Sequence, residues 1–379
     1  MIKRILLILT LLLNVTFIFA APFYNVEKIL TQPDGTKLYC FASGDEFYSR
    51  LHDKDGYTIV QAENGYFVYA TTDNNGKVIA TQYIAGKVNP EALGLKPNVV
   101  ISQKEYMRER AKMKLSERRE LVGLNHGVFN NLVIFVKFKG DEDFKTKHAE
   151  MDSMFNGNGY YDISLNNYFQ KNTYNQLSMK SYFYPKPDND KVLAYEDIYP
   201  RSYYLPYNAT TNPDGYKADE RGPREFALLK RAVDYIANEV PDTLNIDRNN
   251  DGNIDNIIFV VKGDVSDWNG MLWPHMWDMK DEESYIHGKK VMNFNFQLET
   301  SKYFTVSALC HEMSHSLGFP DLYHYDENLK HLSPTGPWDL MCNNAEPPQH
   351  HGTYMKYKYG TWIEEIPEIG YGTYTIEAN

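Results

Sequence analysis

The sequence predicts an α+β chain: a small β-rich unit, then a larger domain that mixes strands with helices. Three observations carry this. "GYTIVQAENGYFVYATTDNNGKVIATQYI" alternates apolar and polar residues around Asn64-Gly65 and Asn75-Gly76, dipeptides that favour tight hairpin turns. "VFNNLVIFVKF" (128–138) and "NIIFVV" (256–261) are near-continuous apolar runs, as expected of strands covered on both faces. "REFALLKRAVDYIANEV" (224–240) instead spaces Phe226, Leu229, Val233, Ile236 and Val240 as one face of a helix.

The chain opens with "MIKRILLILTLLLNVTFIFAAPF". Lys3 and Arg4 precede an apolar run from Ile5 to Phe19, and Ala20 and Ala21 follow. This is the layout of a signal peptide, residues 1–20, cleaved after Ala20. The run is short against the roughly 20 residues of a membrane span. The expectation is therefore an exported protein, extracellular or at the cell surface, with no stable membrane anchor after cleavage. If the host has a periplasm, the chain passes through it. The net charge is −11, and two units more negative without Lys3 and Arg4, which argues against nucleic acid as a partner. Three cysteines, Cys40, Cys310 and Cys342, are too few for a disulfide framework.

Residues 21–102 form the β-rich unit, read as a meander of hairpins. Residues 103–124, "QKEYMRERAKMKLSERREL" and its flanks, are basic and free of Gly and Pro over that quoted run. They suit a helical linker, either simply solvated or a junction for proteolytic processing. Residues 125–365 make the larger domain. Within it, "DISLNNYFQKNTYNQLS" (162–178) predicts a helix capped by Asp162 or Ser164. "VMNFNFQ" (291–297) alternates with period two, the pattern of a half-buried or edge strand. Residues 366–379 read as the start of a C-terminal β segment, truncated at 379 if the natural chain is longer.

The chemistry concentrates in "TVSALCHEMSHSLGFPDLY" (305–323). Val306, Leu309, Cys310, Met313 and Leu317 form an apolar helix face. His311 and His315 are four apart, so both imidazoles project from one side and can meet a single Zn2+. Glu312 is offset from that line, where it faces the attacking water as general base. Gly318 ends the helix and reverses the chain, bringing Asp321 back as third ligand. Two nitrogens and a carboxylate oxygen leave the open position that catalytic zinc requires. The competing reading is a structural helix carrying two satisfied surface histidines. His324 competes with Asp321 for the third position.

A second cluster, "DRNNDGNID" (247–255), places Asp247, Asn249, Asp251 and Asp255 at positions 1, 3, 5 and 9 of a calcium loop. Gly252 stands at the sharp turn and the Asn253 carbonyl at position 7. Position 12, normally glutamate, is Ile258. Either a structural Ca2+ pins the entry to strand 256–261, or this is a polar turn.

The motif at 311–321 and "GPWDLMCNN" (336–344) resemble the metzincins, whose Met-turn lies beneath the zinc; Met341 matches that methionine. Some metzincins carry a tyrosine two residues further on; here it is Asn343, which leaves the oxyanion helper open between candidates such as Tyr323 and His275. More broadly, "LVIFVKF" (132–138), "SLNNYFQKNTYNQLS" (164–178), "DRNNDGNIDNIIFVVKG" (247–263), "WPHMW" (273–277), "HEMSHSLGFPDLY" (311–323) and "GPWDLM" (336–341) resemble the immune inhibitor A family of secreted bacterial zinc metallopeptidases. The resemblance implies a zincin catalytic domain with an active-site helix and Met-turn, an N-terminal pro-region at 21–102, and Asp321 as zinc ligand. Cys40 would be the thiol available to hold such a site latent, or simply a buried cysteine.

The expected function is a zinc-dependent endopeptidase acting on protein or peptide substrates, with an extended substrate lying beside strand 291–297 as edge strand. The alternatives are a zinc hydrolase of a non-peptide amide, and a calcium-dependent extracellular binding protein whose metal site is only structural.

Overall fold

A computed structural model describes residues 23–44, 48–73, 75–102, 104–106, 124–217, 220–263, 275–279, 282–299, 304–323, 332–366, 370 and 372–373. The expected signal peptide, most of the basic linker, His324 and most of 366–379 lie outside the described residues.

The N-terminal unit is a six-stranded antiparallel meander: β1 (Phe23–Thr31), β2 (Lys37–Gly44), β3 (Ser49–His52), β4 (Thr58–Gln61), β5 (Phe67–Thr72) and β6 (Val78–Ile84), paired in chain order. The predicted hairpins are its last two, and Gly65 and Gly76 turn them at φ of 85° and 78°, backbone that glycine adopts without penalty. Leu30, Leu38, Ala42, Leu51, Ile59 and Phe67 fill its core, and Cys40 is buried among them. Asn208 Nδ2 donates to the Thr31 carbonyl at 2.9 Å and Gln61 bonds the Tyr207 carbonyl, so this unit touches the larger domain at 207–208.

The larger domain is built on β7 (Gly127–Lys137), α1 (His148–Asn156), α2 (Leu165–Asn172), β8 (Leu177–Tyr184), β9 (Tyr195–Glu196), α3 (Arg221–Ile236), β10 (Asn253–Ile254), β11 (Ile257–Val261), β12 (His275–Asp278), β13 (Tyr285–Ile286), β14 (Lys289–Val291), β15 (Asn293–Leu298) and α4 (Val306–Ser316). Its main sheet runs β12-β15-β11-β7-β8, with β9 beside β7. β15, β11, β7 and β8 are parallel, and β12 closes one edge antiparallel to β15. β10, β14 and β13 make a small second sheet. The coarse expectation of mixed helices and strands in several sheets is met.

Parallel strands need cover on both faces, and the two cores supply it. Leu132, Ile134, Ile257, Phe259, Phe294 and Phe296 pack against Leu228, Leu229, Ala232 and Val233 of α3. Val133, Phe135, Ile258 and Val260 pack on the other face against α1, α2 and α4. Ser164, not Asp162, caps α2, its side chain accepting from the Asn167 N–H at 3.0 Å. α3 stops at Ile236, and Val240 is buried beyond a 3-10 turn.

One expectation fails here. The strand at 291–297 is not an edge: β15 lies between β11 and β12. Its alternation is real, but the polar positions Asn295 and Gln297 are as buried as Phe294 and Phe296. Helix α4 covers the face that the pattern assigned to solvent, with Ser316 Oγ 3.3 Å from Asn295 Nδ2. Among the described residues β12 is the edge strand on that side, and 291–297 already pairs on both sides, so a substrate strand cannot pair with it. Among the described residues no helix is long and apolar enough to cross a membrane.

Candidate metal centre

Thr305 starts α4, its hydroxyl accepting from the Ala308 N–H at 3.2 Å in the manner of an N-cap. Val306, Leu309, Cys310 and Met313 then face the core, as their spacing predicts. The rest of the helix is buried too, including His311, Glu312 and His315.

The helix closes in a Schellman motif. The Gly318 N–H donates to the His315 carbonyl at 2.9 Å and the Phe319 N–H to the Ser314 carbonyl at 3.0 Å, with Gly318 at φ of 88°. The reversal does two further things. It turns the Phe319 carbonyl onto His315, whose Nδ1 donates to it at 2.8 Å. It also returns Asp321 to the two imidazoles.

His311 Nε2 and His315 Nε2 are 3.2 Å apart, and Asp321 Oδ1 lies 3.2 Å from the first and 3.3 Å from the second. Metal bonds of about 2.0 Å in a tetrahedron separate neighbouring ligand atoms by about 3.3 Å. The three atoms therefore already stand on one face of a zinc-sized tetrahedron. His311 Nδ1 donates to the Leu340 carbonyl at 3.2 Å, so in both rings the outer nitrogen is engaged by a carbonyl and Nε2 faces inward, where it offers a lone pair to a metal once its own proton is displaced. The trio attracts positive charge. Burial alone pulls His315 down, yet the Asp321 carboxylate outweighs it and lifts its pKa to about 9. Burial pushes Asp321 up, but His315 and His311 override it and hold it well below the carboxylate range. The donor set and its spacing fit a zinc ion. Among the described residues this is the only group of three or more His, Cys, Asp or Glu that converges so closely.

Met341 is fully buried in the core beneath α4, in the cluster that includes Cys310 and Met313. Its turn grips the site through the backbone. The Leu340 carbonyl holds His311, and the Met341 carbonyl accepts from the Leu322 N–H at 2.8 Å, next to Asp321. Asp339 fixes the turn by accepting from the Met341 N–H at 2.8 Å. Glu312 accepts no hydrogen bond from any described residue, and burial raises its pKa above the usual carboxylate range.

Other expectations distribute as follows. His275 stacks on Phe296, and its Nε2 is 2.8 Å from Glu225 Oε1 of α3, so its ring is packed and paired within the core. Tyr323 is half-buried. Cys40, Cys310 and Cys342 are buried free thiols, and burial pushes Cys40 up to about 12, far from a ready thiolate ligand.

In the loop at 247–255, Asp247 Oδ1 accepts from the Asp251 N–H at 3.0 Å and Oδ2 from the Gly252 N–H at 3.1 Å. The Lys289 ammonium sits 2.7 Å from the same Oδ2. Asp251 Oδ1 accepts from the Asn253 N–H, and Asp255 Oδ2 accepts from the Arg248 N–H. Asn249 Oδ1 lies 3.3 Å from the Asp251 N–H. The five predicted residues do share one loop, held largely by its own donors and one lysine.

Sequence reasoning missed the carbonyls of Phe319 and Leu340, which carry no side-chain signal. It also missed Asn131, Asn256 and Asn295, whose place in apolar strands was a signal.

No protein-family model matches the chain. A search of curated proteins finds no match either.

Proposed function

We propose that this chain is an exported zinc-dependent endopeptidase. The observation that carries the reading is the triangle of His311 Nε2, His315 Nε2 and Asp321 Oδ1, with sides of 3.2–3.3 Å, beside a carboxyl that no described protein group engages. A zinc ion bound there supplies Lewis-acid polarisation of the scissile carbonyl and acidifies the attacking water. Glu312 takes the proton from that water and passes it to the leaving amine, a transfer its raised pKa suits. The Leu340 and Phe319 carbonyls fix the orientation of His311 and His315. The edge strand β12 replaces 291–297 as the place where an extended peptide adds a strand. The resemblance to immune inhibitor A peptidases supports the same reading, in which the N-terminal meander would be a pro-region.

The test is peptide hydrolysis by the full chain after proteolytic activation, against Glu312→Gln. The variant is expected to bind zinc as the parent does and to lose about 10²–10⁴-fold in kcat/KM. Equal hydrolysis by both proteins would remove Glu312 from the mechanism. Zinc binding without any peptide or protein cleavage would favour the non-peptide amidase.

A further inference from the structure

The buried polar face of the main sheet is not accounted for by the chemistry above. Asn131 on β7 stands opposite Ser181 on β8, and Asn256, one residue before β11, is in line with it. Asn295 on β15, opposite Ile258 and so diagonal to Asn256, extends the row, and all four are buried. The hydrogen bonds run one way. Asn295 Nδ2 donates to Asn256 Oδ1 at 2.9 Å, Asn256 Nδ2 to Asn131 Oδ1 at 2.7 Å, and Asn131 Nδ2 to Ser181 Oγ at 3.3 Å. The row ends on the metal helix. Ser316 Oγ donates to Asn256 Oδ1 at 2.9 Å, and Asn256 Nδ2 lies 3.5 Å from Met313 Sδ. Asn256 is thus the hub, and its contacts on α4 fall two residues before His315 and one after it.

Neighbouring positions on this face are Val133, Ile258 and Val260, so an apolar row was available. Apolar packing is non-directional and lets a helix settle over a range of rotations. Hydrogen bonds have preferred angles and lengths. A rotation of about 10° moves a ring nitrogen ~6 Å from the helix axis by about 1 Å. Metal–ligand distances tolerate only about 0.2 Å.

We propose that the asparagine row is a positioning device for the metal centre, with Asn256 fixing the rotation of α4 at the turn that carries His315. The proposal rests on reading His311, His315 and Asp321 as a metal site. Asn256 and Ser316 are positioning residues, while Asn131 supports the row without touching α4.

The experiment measures zinc affinity by competition with a chromogenic chelator, and metal-free thermal stability, on the full chain. Parent, Asn256→Leu, Ser316→Ala and Asn131→Leu are compared. Asn256→Leu and Ser316→Ala are expected to weaken zinc binding about 10–100-fold, and Asn131→Leu by less than about threefold, although all three lower the metal-free Tm. Ser316→Ala removes one hydroxyl and carries the test if Asn256→Leu does not fold. Zinc binding within about threefold of the parent in Ser316→Ala, or equal weakening in Asn131→Leu, overturns the positioning role. A parent that binds no zinc sinks the metal centre itself, and with it this inference.

Discussion

His315 Nδ1 donates to the carbonyl of Phe319, four residues on, at 2.8 Å. The loop that leaves the helix therefore orients a candidate metal ligand that the helix carries. Both the bond and the return of Asp321 depend on the reversal at Gly318.

Gly318→Ala tests that dependence. At φ of 88° an alanine is strained by about 1–2 kcal/mol. The chain can relieve the strain only by moving Phe319 and Asp321. The expected result is a Tm a few degrees lower and zinc affinity reduced about tenfold or more, as when a partner of a metal ligand is lost. Calorimetry and chelator competition on the same preparation check both. Unchanged zinc affinity would mean the loop holds its course without the left-handed residue.

Much of this site was legible in the sequence because helix geometry is local. The four-residue spacing of His311 and His315, the apolar stripe of Leu309, Cys310 and Met313, and the stop at Gly318 each follow from 3.6 residues per turn and the freedom of glycine. β15 was illegible for the opposite reason. "NFNFQ" alternates as a half-exposed strand does, and only the placement of α4 decides that its polar side is inside. Asn256 reads as a lone polar residue at the head of an apolar strand until Asn131 and Asn295 stand beside it. Carbonyl partners such as Leu340 leave no trace in residue type at all. What a pattern of apolar and polar letters conveys is which residues share a face; what covers that face is a tertiary fact.

The buried cluster around Asp197 predicts how acid unfolds the larger domain. Its carboxylate accepts from Arg231 Nε at 2.8 Å, the Tyr204 hydroxyl at 2.5 Å and the Tyr195 hydroxyl at 3.0 Å. Burial pushes its pKa up, but Arg231 and Tyr204 outweigh burial and the net shift is downward. A folded pKa below the unfolded value gives stability that is fully present above the unfolded pKa of about 3.9 and is lost as pH falls through the folded one. Asp197→Asn should cost about 2–3 kcal/mol at pH 7, below the usual value for breaking a buried pair because Arg231 is partly exposed. The gap between parent and variant in urea unfolding should narrow below about pH 4. A gap that stays constant with pH would mean the charge of Asp197 contributes nothing.

The loop at 247–255 yields a test of its calcium reading. Asp247 is buried, and Lys289 stands on its Oδ2 at 2.7 Å. A calcium ion held by Asp247, Asn249, Asp251, the Asn253 carbonyl and Asp255 would share the Asp247 carboxylate with the Lys289 ammonium, and the two cations repel at that range, so lysine and ion compete. Lys289→Met removes the competitor and leaves a buried carboxylate with only backbone donors. In a calcium chelator the variant should be less stable by about 1–2 kcal/mol, since the lysine is partly exposed. Millimolar calcium should restore or exceed the parent Tm, and it should stabilise the variant more than the parent. A variant that calcium does not rescue would identify 247–255 as a polar turn closed by its lysine.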